Sequence, residues 1–80
     1  GASGRMSDPG YAVILAHSTS HAIRLEKLLR ARGIACKMIP VPRQISSDCG
    51  VCVRIAQAEI RAARETAEAA GIEIQGVVDI

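Results

Sequence analysis

The stretch Tyr11-Ala12-Val13-Ile14-Leu15-Ala16-His17-Ser18-Thr19-Ser20-His21-Ala22 decides the fold of this chain. Its first six residues form an unbroken apolar run behind the turn-forming Asp8-Pro9-Gly10. A run that short, ended by a Ser/Thr cluster, reads as a strand covered on at least one face. The cluster itself marks a helix start, because a hydroxyl at the N-cap accepts a hydrogen bond from an otherwise orphan N–H. Ala22, Leu25, Leu28 and Leu29 then recur at helical spacing, with Arg24, Lys27, Arg30 and Arg32 between them. Gly33 sits where a left-handed residue closes a helix.

Working outward, Ile34 to Ile39 reads as a second strand, with Ile34, Cys36 and Met38 on one side and Lys37 on the other. Residues 40–50 are rich in Pro, Ser and Gly and form a loop. A third strand follows from Val51 to Ile55; Val51, Val53 and Ile55 form its apolar face, and Cys52 and Arg54 point the opposite way. Ala56, Ile60, Ala63, Ala67 and Ala70 make one helical stripe that ends at Gly71. Ile72 to Gln75 alternates as a last strand, with a bend expected at Gly76 before Val77 and Val78. Both helices end in Gly-Ile, a weak internal echo.

The order βαββαβ predicts an α+β, ferredoxin-like fold: a four-stranded antiparallel sheet with two helices on one face. That topology carries a functional consequence. It brings the end of the first strand, the start of the first helix and the loop between strands two and three to one end of the sheet. His17, Ser18, Thr19 and Ser20 are then expected to face Arg43 to Gly50.

Eighty residues make one small domain. Gly1 to Arg5 reads as a cloning remnant, leaving residues 6–80 as the folded unit. Tyr11 is the only aromatic residue, so the core is aliphatic and the flat side chains on which bases stack are missing. No nucleic-acid partner is expected. Nor is a membrane partner, since no apolar run approaches the roughly 18–20 residues that span a bilayer. Three cysteines argue against a closed disulfide framework and fit a reducing, cytoplasmic home. P-loop, dinucleotide fingerprint, paired carboxylates and Ser/His/Asp order are all missing from the sequence. A carrier-type protein with a reactive cysteine is expected rather than a self-sufficient enzyme, with no cofactor and no metal.

Cys49 is the candidate reactive thiol. A helix N-terminus and neighbouring cations lower a thiol pKa from about 8.5 to between roughly 3.5 and 7.5. Arg43 and the start of the first helix, with His17, Ser18 and His21, are the candidates for that effect here. Ser46 and Ser47 belong to the same loop, and Gly50 permits close approach of a partner backbone or an unusual dihedral. Asp48 acts in the opposite direction. Cys36 alternates with Ile34 and Met38 and reads as a small buried hydrophobe.

Cys49-Gly50-Val51-Cys52 is a C-x-x-C sequence. With Val51 and Cys52 in a strand, an extended path puts the two Cα atoms about 10 Å apart. That exceeds the roughly 7 Å limit for a disulfide. A bend at Gly50 would keep Cys52 available as a resolving thiol. His17 and His21 with this pair would make a zinc site, but no second C-x-x-C supports it; hydrogen bonding near the helix cap is the preferred role of the histidines. Arg54 is a candidate for an anion or a partner carboxylate, against the commoner role of a solvated arginine.

Together, His17-Ser18-Thr19-Ser20-His21-Ala22, Ile39-Pro40-Val41-Pro42-Arg43 and Ser46-Ser47-Asp48-Cys49-Gly50 resemble the short bacterial selenium/sulfur carrier-like protein family. The resemblance covers Tyr11 to about Ile74. It implies a cysteine holding a terminal sulfur or selenium, a role that maps onto Cys49. On this reading Cys49 carries a (seleno)persulfide from a cysteine desulfurase or selenium donor protein to an acceptor enzyme. The alternative is a thiol redox or regulatory binding module using Cys49 and Cys52. An open sheet face and exposed edge strands also allow a homodimer.

Overall fold

The computed structural model describes residues 10–45 and 50–80. Ser46, Ser47, Asp48 and Cys49 lie outside the described residues, as do residues 1–9 and the boundary expected at Met6.

Strand β1 spans Tyr11–Ala16, as its apolar run dictates. Helix α1 covers Thr19–Ala31, β2 Cys36–Pro40 and β3 Val51–Ala56. A 3-10 turn over Gln57–Glu59 leads into α2, Ile60–Ala69, and the chain closes with β4, Ile74–Asp79. The four strands form one antiparallel sheet in the order β2-β3-β1-β4. This is the ferredoxin-like split βαβ order: β1 and β2, joined by α1, are separated by β3.

Three boundaries differ from the sequence reading, each for a local reason. Ala56 ends β3 rather than opening a helix, because its backbone still pairs with Tyr11. Strand β2 begins two residues after Ile34, whose amide is taken by the carbonyl of Leu29 (2.9 Å). The last strand starts at Ile74 and runs straight through Gly76; the irregularity is a bulge beside it, where Leu15 pairs with Gly76 and Ala16 with Ile74. Gln75 is the extra residue of that bulge.

The Gly-Ile echo is structural. At the end of α1, Gly33 donates to Arg30 (3.0 Å) and Ile34 to Leu29; at the end of α2, Gly71 donates to Glu68 (3.1 Å) and Ile72 to Ala67 (2.9 Å). Both glycines have positive φ, 79° and 70°. These are paired Schellman closures, in which the following isoleucine folds back onto the helix. Ile34, Leu29, Ile72 and Ala67 accordingly all belong to the main core.

That core lies between the sheet and both helices. Ala12, Ile14, Ala16, Val53 and Ile55 from the strands meet Ala22, Leu25 and Leu29 of α1 and Ala63 and Ala67 of α2. Alternation sends Val13, Leu15 and Cys52 to the other face, and that face is not bare. All three are buried, with Ile39, Val41, Ile45 and Val78 packed against them. The β2–β3 connection folds Val41 and Ile45 back over the sheet, so the open surface expected there is partly covered.

Gly71→Ala is expected to cost about 1 kcal/mol or more, because alanine must adopt the left-handed conformation. Among the described residues, a Cβ added at Gly50 meets nothing within 4 Å. Gly50→Ala should therefore leave stability within about 0.5 kcal/mol. Urea denaturation of both variants, comparing midpoints at unchanged slope, checks the contrast.

Candidate functional site

The pairing register decides what meets at the loop end of the sheet. Leu15 lies opposite Cys52 in β1–β3, and Pro40 lies opposite Val51 in β2–β3. The chain therefore leaves β1 at Ala16, enters α1, and turns from β2 into β3 all at one end. Val41 donates its amide to the Gly50 carbonyl (3.1 Å), which closes the neck of that connection. Just inside the neck, Ile45 donates to Pro42 (3.0 Å), so Pro42-Arg43-Gln44-Ile45 is a tight turn that holds Arg43 exposed.

At the helix start, Ser18 is the N-cap. Its Oγ accepts the His21 amide (3.2 Å) and lies 2.7 Å from His21 Nδ1. The Ser18 hydroxyl and His21 ring thus fasten the first turn to itself, the cap role preferred for His21. His17 is exposed at the strand–helix junction. Glutamate and aspartate are missing from the first turn of α1, so its positive dipole end is not offset within the helix.

The two cysteines among the described residues are both held back from solvent, in different ways. Cys36 lies on the helix side of β2, half-buried, with its Sγ donating to the carbonyl of Glu26 (3.6 Å). Burial pushes its thiol pKa up, partly offset by a hydrogen bond and charge from Arg30. This matches its reading as a core-type side chain. Cys52 is fully buried on the other face among Val13 and Leu15, its Sγ 3.9 Å from the Pro40 carbonyl. A sulfur contact that long is weak.

Gly50 stands exposed at the neck, and among the described residues nothing lies within 4 Å of where a Cβ would stand. Arg54, expected as a solvated arginine or an anion ligand, is half-buried with its guanidinium 4.6 Å from the centroid of the Tyr11 ring. Sequence inspection missed this stacking. It depends on the β1–β3 register, which puts Tyr11 opposite Ala56 and diagonal to Arg54.

Among the described residues no three of His, Cys, Asp and Glu gather in a way that would hold a metal. Among the described residues no helix is long and apolar enough to cross a membrane either.

The profile of the family described as "Putative Se/S carrier protein-like" matches residues 11–79. The chain belongs to that family. The match runs from the first residue of β1 to the last of β4, so the whole sheet and both helices lie inside it. No curated protein and no solved structure matches the chain significantly.

The thiol environments make a pH prediction. A group whose pKa is raised by folding contributes stability below the unfolded-state pKa and loses it as pH climbs through the folded-state value. For Cys36 that window lies above the ordinary thiol range, so its contribution should be complete at neutral pH and fade in alkali. Alkylation followed by mass mapping should find Cys36 modified with a midpoint displaced upward from free cysteine. Labelling at the free-cysteine midpoint would contradict its burial.

Proposed function

We propose that the protein is a sulfur or selenium carrier in which Cys49 holds the transferred atom as a persulfide or selenopersulfide. The supporting observation is the withdrawal of the other two thiols. Cys36 is half-buried against α1 with a raised pKa, and Cys52 is sealed in the second core. Cys49 alone belongs to the β2–β3 connection, whose neck stands at the α1 end of the sheet. Membership of a carrier-type family supplies the chemical class.

In the proposed loading step, the Cys49 thiolate attacks the terminal sulfur of a donor protein's persulfide. The donor's S–S bond breaks, its own cysteine leaves as thiolate, and Cys49 becomes Cys–S–SH; no external oxidant or reductant is needed. An acceptor nucleophile then takes the terminal sulfur and returns Cys49 to the thiolate. A selenium atom follows the same path. The N-terminal end of α1 and Arg43 favour the anionic forms. His17 is assigned to the same wall, with the loop hydroxyls of Ser46 and Ser47. Gly50 keeps the neck free of side chain, so a donor or acceptor backbone can draw close.

Incubation with a cysteine desulfurase and free cysteine should add one sulfur atom, removed by reductant and lost in Cys49→Ser. Intact-protein mass spectrometry reads this directly. No adduct on wild type would overturn the carrier reading. A loss of two hydrogens instead, mapped to Cys49 and Cys52, would move the assignment to the dithiol redox alternative.

Gly50→Val separates approach from folding. Urea stability should stay close to wild type, while the rate of sulfur loading falls at least several-fold. An unchanged loading rate would remove Gly50 from the docking surface.

A further inference from the structure

The opposite end of the sheet carries a second cluster. In β2–β3 pairing, Lys37 lies directly opposite Arg54. Cys36 and Met38 face the helix-side core, so Lys37 projects on the other face, the one Arg54 shares with Cys52. Like charges directly opposite across a ladder repel. Among the described residues the ion pair is Arg30 with Glu26, and neither Lys37 nor Arg54 has a carboxylate in contact. The Arg54 guanidinium is also held over the Tyr11 ring at 4.6 Å, which restrains its plane. Both cations, with Tyr11, Cys36 and Glu59, line a cavity of 470 Å³.

We propose that this cavity binds a small oxyanion, phosphate or carboxylate, bridged between Lys37 Nζ and the Arg54 guanidinium. Two facing cations supply the charge, and the ring-held guanidinium supplies the planar fork that matches oxyanion geometry. Glu59 on its wall opposes multiply charged anions, which sets a preference for low negative charge. The site lies at the Tyr11–Ala56 end of β1 and β3, away from the Pro40–Val51 end that leads to Cys49. It therefore stands or falls independently of the carrier reading.

The test is a ¹H–¹⁵N titration of the whole chain with inorganic phosphate and, separately, with acetate, chloride holding ionic strength constant. Saturable shifts centred on Tyr11, Lys37 and Arg54 are expected, and the anion that saturates first identifies the source as phosphate or carboxylate. Lys37→Gln and Arg54→Gln should each weaken binding about tenfold, as removal of a charge-assisted contact does. Glu59→Gln should tighten phosphate more than acetate, and Arg61→Gln on α2 should change neither. Lys37 is exposed, so its variant keeps the test valid if the Arg54 variant folds poorly. Shifts that fail to saturate, spread equally over Arg24, Arg61 and Arg64, or ignore both substitutions would overturn the proposal.

Discussion

The antiparallel pairing of β1 with β3 is the constraint on which the rest of the molecule depends. Residues some forty positions apart become neighbours, with Leu15 opposite Cys52 and Tyr11 opposite Ala56. Closing so distant a contact costs loop entropy, which burial on both faces of β1 must offset. Ala12 to Ala16 are all buried, alternately against the helices and against the second cluster. A slip of one residue would exchange these two sets and put the Tyr11, Val13 and Leu15 side under the helices.

From that register follows a division of labour along the strands. At one end, a neck closed between Val41 and Gly50 stands beside the start of α1, a helix whose first turn is capped by Ser18 and holds no acid. At the other, Arg54 is held over Tyr11 and faced by Lys37. The two ends differ in chemistry because the strands between them are apolar on both sides. Neither cluster shares a side chain with the other.

Burial sorts the thiols more firmly than charge does. Cys36 and Cys52 sit on adjacent strands but on opposite faces, each packed into a different core. Desolvation penalises the thiolate, and for Cys36 it outweighs the nearby Arg30 cation. Such residues behave as small hydrophobes.

Much of this was legible in the residues themselves. The apolar run Tyr11–Ala16 with its Ser/Thr cluster, the Gly-Ile ends of both helices and the order βαββαβ each rest on local energetics: hydroxyl capping, left-handed glycine and alternation of burial. The motifs around His17, Pro40 and Cys49 pointed to the family because they are contiguous strings. What the chain could not disclose locally was register. The bulge at Gln75, the folding of Val41 and Ile45 over the second face, and the meetings of Arg54 with Tyr11 and Lys37 are fixed by pairing across strands. Sequence alone determined which elements form. Only the tertiary structure decided that Cys36 and Cys52 pack on opposite faces and that Lys37 pairs opposite Arg54, because ladder pairing and core packing are selected together over the whole sheet.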